Sequence, residues 1–211
     1  MIRHALESWD AQLNSKTDKT SVARYSDQQY YFERECSKHY AYTSPNALCK
    51  DKKNKKKALW CKYCTSRKKG RKPSKWEKKG MDVITEAVAT QPHIKVVTEA
   101  RVLGDRFGPT DITLVSTTHP GLQLHVEIDG EQHVTKGCKT KTLIDQHDAD
   151  SRKDEAMWKK KQCLVRLHYE DRIWWPQKLK YALDLLLLKK SNNFILYTSS
   201  YKKQDIVKKN I

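Results

Sequence analysis

The rhythm of apolar and polar residues changes at about residue 80. Before that point aliphatic side chains are sparse; after it they recur at the spacings of regular structure. MDVITEAVAT, residues 81–90, carries apolar residues at helical intervals, and Gln91-Pro92 stops it, because the residue before a proline is pushed out of the helical region. HIKVVTEARVL, residues 93–103, is β-branched and predicts a strand. TDITLVS at 110–116 predicts a second strand, and LHVEIDG at 124–130 a third across the turn THPGLQ. A helix is expected from about residue 143 or 149 to 161, a fourth strand at CLVRLHY, a helix at QKLKYALDLLLLKK and a last strand at FILYTSS. Met157, Trp158 and the leucines at 185–188 read as core, with Trp174 and Trp175 capping a sheet edge.

A three-strand meander followed by alternating helices and strands predicts an α/β or α+β domain over residues 80–211, with a parallel crossover between the third and fourth strands. Residues 1–35 form a polar N-terminal segment, in which SWDAQL and QQYYFEREC could each make a short helix. Residues 36–79 are basic and cysteine-rich, and GRKPSKWEKKG at 70–80 reads as a linker with turn residues at both ends.

Charge narrows the partners. A formal net charge of +17 in 211 residues exceeds what solubility requires and points to a polyanion: DNA first, RNA second. A membrane partner is not expected, since no stretch has the Trp/Leu-faced, Lys-backed pattern of an interfacial helix. With no run long enough to span a bilayer and no apolar leader in MIRHALESWD, an intracellular protein is expected, in nucleus or cytoplasm. Its six cysteines are then thiols or metal ligands rather than disulfides.

Cys61 and Cys64 have the C-x2-C spacing that lets two thiolates on one turn grip tetrahedral Zn²⁺. Cys36 and Cys49 would complete a four-thiolate site, with His39 as the substitute ligand. A structural zinc is expected because this stretch has few aliphatic residues to fold around. Lys52, Lys53, Lys55, Lys56, Lys57, Arg67, Lys68, Lys69 and Arg71, interleaved with Trp60, Tyr63 and Trp76, suit phosphate contact with occasional stacking.

The densest chemistry lies in LHVEIDGEQHV, residues 124–134. On a strand, Val126 and Ile128 face one way while Glu127 and Asp129 face the other; Gly130 then breaks the strand, and Glu131 and His133 follow. Asp111 stands on the preceding strand, in a Pro-x-Asp context, and antiparallel neighbours can bring it within a few ångströms of Glu127. Two carboxylates and a strand carbonyl such as that of Ile128 are the oxygen set that Mg²⁺ or Mn²⁺ favours. His125 and His168, each inside a strand, read as structural.

PTDITL followed by VEIDGEQH resembles the PD-(D/E)xK restriction-endonuclease-like superfamily, and within it the branch of very-short-patch-repair and homing-type nucleases. That branch reads as E-x-D-G-x-x-H at a strand end, then D-x-x-K opening a helix, then I-x-L-x-R-I; here stand EIDGEQH, DSRK and CLVRLHY, in order, over residues 81–171. The resemblance implies a mixed central sheet flanked by helices and a DNA endonuclease. It also implies metal ligation by Asp111 and Glu127, and a role for His133 in activating water or protonating the leaving oxygen. Glu86 matches the supporting acid of the first helix, with Glu99 its rival; Asp150 and Lys153, three apart on one helix face, would order the site or touch the scissile phosphate. Asp129 stands where the motif has lysine, so Lys153 or Lys136 supplies the cation from elsewhere, or His133 replaces its chemistry. The alternatives are an inactive zinc-module protein that only binds nucleic acid on a nuclease-like scaffold, and a basic RNA-binding or ribosome-associated protein.

Overall fold

A computed structural model describes residues 9–14, 17, 22, 28–33, 39–43, 73–103, 107–119, 121–131, 140–188, 193–201 and 205–207; at 99, 140–147, 201, 206 and 207 it describes backbone only. Among the described residues eight strands form one mixed sheet, hydrogen-bonded in chain order. They are β1 (Tyr30–Glu33), β2 (Tyr40–Thr43), β3 (Ile94–Ala100), β4 (Thr110–Ser116), β5 (Gln123–Asp129), β6 (Cys163–His168), β7 (Phe194–Tyr197) and the two-residue β8 (Ile206–Val207). Helix α1 (Lys75–Val88) precedes β3, α2 (Thr140–Lys159) joins β5 to β6, and α3 (Trp175–Leu187) joins β6 to β7 after a 3-10 helix at Tyr169–Trp174.

β3, β4 and β5 form the antiparallel meander, and β5, β6 and β7 run parallel, so the crossover around α2 is parallel as expected. The alternation of side chains sorts the sheet into two faces. Ile112, Leu114, Leu124, Val126, Ile128, Val165 and Leu167 pack with Met81 and Ile84 of α1 and with Trp175, Leu179 and Leu183 of α3. On the opposite face Leu164, Ile195 and Tyr197 pack against Met157 of α2. The odd-numbered residues of β5 share that face, so His125, Glu127 and Asp129 lie under α2 rather than in water.

Three readings of the N-terminal part and the tryptophans change. QQYYFEREC does not give a helix: its centre is β1, whose Tyr30, Tyr31 and Phe32 are all buried, so no alternation showed in the sequence. The linker reading of 70–80 fails from Lys75 onward, where α1 begins. Ser74 caps that helix by accepting a hydrogen bond from the Glu77 N–H (3.1 Å), and the buried face is Glu77, Gly80, Met81 and Ile84. Trp175 does not cap an edge: it is fully buried and donates Nε1–H to the His168 carbonyl (2.8 Å), while its neighbour Trp174 is exposed. No helix among the described residues is long and apolar enough to cross a membrane.

Candidate active site

Because β4 and β5 are antiparallel, with Ile112 opposite Val126, the ladder carries Asp111 to the position facing Glu127. The Asp111 carboxylate accepts the Ile128 N–H at 2.9 Å, which fixes it beside the end of β5. Glu127 is buried, and Lys153 reaches it from α2: the ammonium donates to Oε1 at 2.6 Å and to the Pro109 carbonyl at 3.1 Å. Burial and the facing Asp111 carboxylate push the Glu127 carboxyl up to about 8, against the pull of Lys153 and Arg166. A carboxylate held at that level by burial and a like-charged neighbour would ionise more readily beside a further cation.

Beneath this pair lies a second charged layer. Arg166 of β6 donates Nη1–H to Asp129 (3.0 Å), Nε–H to Asp154 (2.7 Å) and Nη2–H to Asp150 (3.3 Å), and the Tyr197 hydroxyl donates to Asp154 (2.8 Å). Burial alone would depress the guanidinium, but Asp129, Asp154, Glu127 and Asp150 outweigh it and hold it charged. Asp150, Lys153 and Asp154 lie on one side of α2, so this layer fixes where the helix sits and with it where the Lys153 ammonium points.

Of the residues singled out in the sequence, the structure brings together Asp111, Glu127, Asp129, Asp150 and Lys153. Glu99 lies on β3, where the pairing of Thr98 with Ile112 and of Ala100 with Thr110 sets its backbone opposite Asp111. Glu86 does not join them. It is exposed on the far turn of α1, lining a hollow between α1 and α3 with Lys180 and Asp184. The α1 carboxylate on the face that meets the end of β5 is Glu77, since neighbouring Gly80 lies against Ile128 and Trp76 against Gly130. Its signal was present: Ser-x-x-Glu at 74–77 is a capping-box pattern. Arg166, Asp154 and Tyr197 were also missed.

His133 and Lys136 lie outside the described residues, as do Cys36, Cys49, Cys61 and Cys64 and the basic residues Lys52, Lys53, Lys55, Lys56, Lys57, Arg67, Lys68, Lys69 and Arg71. His39, the substitute zinc ligand, is buried at the start of β2. His125 is a core residue: its Nδ1 meets the Thr113 hydroxyl (2.9 Å) and its Nε2 the Gln162 carbonyl oxygen (3.0 Å). His168 is buried as well, and its Nδ1 accepts the Glu170 N–H (3.3 Å).

No family model, curated protein or solved structure matches this chain. The chemistry therefore has to be judged on the site itself. Among the described residues no three His, Cys, Asp or Glu side chains form a ready-made metal cage. The donor set nonetheless suits a hard cation: five carboxylates, Asp111, Glu127, Asp129, Asp150 and Asp154, share two cationic side chains, Lys153 and Arg166. Arg166 engages Asp129, Asp150 and Asp154, while Lys153 engages Glu127 and the Ile128 N–H holds Asp111 beside it.

Proposed function

We propose that the chain is a metal-dependent DNA endonuclease with a restriction-endonuclease-like core. The observation that carries this is the facing of Asp111 and Glu127 across β4 and β5 with the Lys153 ammonium 2.6 Å from Glu127. In this reading Lys153, delivered from α2, takes the part of the lysine that the superfamily motif puts two residues after the glutamate. Asp129, which occupies that position here, is paired with Arg166 instead.

Asp111 and Glu127 would hold Mg²⁺ or Mn²⁺, which when bound polarises the phosphoryl group and lowers the pKa of bound water. The Lys153 Nζ, 2.6 Å from Glu127, is placed to balance charge that builds up on a phosphate as its bond to the leaving oxygen breaks. Arg166 acts indirectly, by tying α2 to β5 through Asp129, Asp150 and Asp154. His133 is proposed to move protons at the attacking or leaving oxygen. Zinc held by Cys36, Cys49, Cys61 and Cys64 is proposed to organise the basic stretch that grips the substrate.

The test is incubation of the full chain with linear, nicked and branched DNA in Mg²⁺ or Mn²⁺. Cleavage is expected with the native protein and not with Asp111→Ala, while DNA binding persists in both. Binding without cleavage across several divalent metals would leave only a nucleic-acid-binding protein.

A further inference from the structure

The Trp76 indole lies against the end of the site strand: a Cβ added to Gly130 would meet its Cδ1 at 3.1 Å, a tight contact that the ring would have to yield to by a few tenths of an ångström. Two cations are held over that ring, the Lys75 ammonium 5.0 Å and the Arg172 guanidinium 5.8 Å from the ring centre. Tyr169 packs beside it at 5.4 Å. Lys75, Lys78 and Lys79 are all exposed on α1 and, at spacings of three and four, share one face of the helix. Arg172, also exposed, joins that face from the 3-10 helix after β6. Two acids stand nearby, Glu131 and Glu170, both on the Tyr169 side, and Asp82 follows one turn along α1.

We infer that Lys75, Lys78, Lys79 and Arg172, mounted around Trp76, are a phosphate-binding strip for the nucleic-acid backbone flanking the scissile bond. The strip lies at the same end of the sheet as Glu127 and Asp129, because Gly130 directly follows Asp129 and Tyr169 follows His168, its neighbour in register. A strand that crosses the rim at Gly130 meets the strip on the α1 side and the carboxylates on the α2 side. Cation–π seating restricts both long side chains before the ligand arrives, which reduces the ordering cost of binding. The ligand class is the phosphodiester backbone, read for charge and not for base sequence. This inference rests on the nuclease reading for its substrate and is separable from it by experiment.

The test is the salt dependence of binding of the full chain to a short fluorescent DNA duplex, with no Mg²⁺ or Mn²⁺ added and no chelator present. Each phosphate contact contributes about 0.9 to the slope of log affinity against log salt, so Lys75→Ala/Lys78→Ala/Arg172→Ala should make the slope shallower by about 2 to 3. The control is Lys159→Ala/Lys160→Ala/Lys161→Gly, three exposed cations at the opposite end of the sheet, and its slope should match the native protein. Circular dichroism verifies folding of both. An unchanged slope in the first variant, an equal loss in the control, or no DNA binding by the native chain overturns the strip. Native protein that binds with the steep slope but cuts nothing upholds the strip and overturns the nuclease reading alone.

Discussion

Glu127 is a buried carboxylate at the centre of the proposed site. Its carboxyl is raised to about 8, chiefly by burial and then by Asp111, so near neutral pH it keeps a proton that the proposed divalent cation would have to displace. Cation affinity should therefore rise with pH up to about 8 and level off above it. Calorimetric titration of Mn²⁺ across that range measures this, and a flat profile would show that Glu127 is not a ligand. His125 makes a separate prediction for stability. Burial drives its ring down to about 4, so the folded state holds it neutral while the unfolded chain takes up a proton below about 6.5. Its contribution is complete above that pH and is lost as the pH falls toward 4, amounting to about 3 kcal/mol. Urea unfolding of the native protein between these limits should show the loss, and His125→Asn should flatten it.

The elements of the C-terminal part were legible because their patterns are regular. β4, β5 and β6 fall where alternation placed them, and the Asp111–Glu127 pairing follows from two adjacent strands joined by a short turn. What could not be read were features set by tertiary geometry. Arg166 sits in an apolar run, and only the packing of α2 on β6 shows that it answers three aspartates. Replacing it with leucine leaves those carboxylates buried without their partner, and stability at neutral pH should fall by about 3–5 kcal/mol. A loss under about 1 kcal/mol would show that the network is dispensable. The end of α2 offers a gain instead. Lys161 has φ 55°, with its N–H on the Trp158 carbonyl and the Gln162 N–H on the Met157 carbonyl, the helix-ending turn that favours glycine. Lys161→Gly should stabilise by about 0.5–1 kcal/mol, measured as a rise in Tm.

At the scale of the molecule, the nuclease proposal rests on net charge and motif order, while local pattern accounts for the elements. The +17 charge called for a polyanion, and it remained to learn where on the fold the described cations lie. Lys75, Lys78, Lys79 and Arg172 are exposed at the rim of the carboxylate site, where the inferred strip would meet a phosphate backbone. Lys75, Lys78 and Lys79 close the basic stretch that the sequence shows, but only the fold reveals that α1 begins there and that Arg172 joins them from the 3-10 helix. β1 and β2 were obscured for a related reason: a polar surrounding masks a short aromatic core. The sheet gathers these separate segments so that the ends of β4, β5 and β6, with α2, converge on one acidic point. The central claim is that this point cuts DNA. Its most direct measurement is the single-turnover rate of phosphodiester cleavage in Mn²⁺ or Mg²⁺ for native protein and Asp111→Ala. Loss of a metal ligand removes several kcal/mol of charge stabilisation, so the account predicts a fall of more than about a hundredfold with binding retained. Equal rates in the two proteins, or no cleavage by the native chain in any divalent metal, would contradict it.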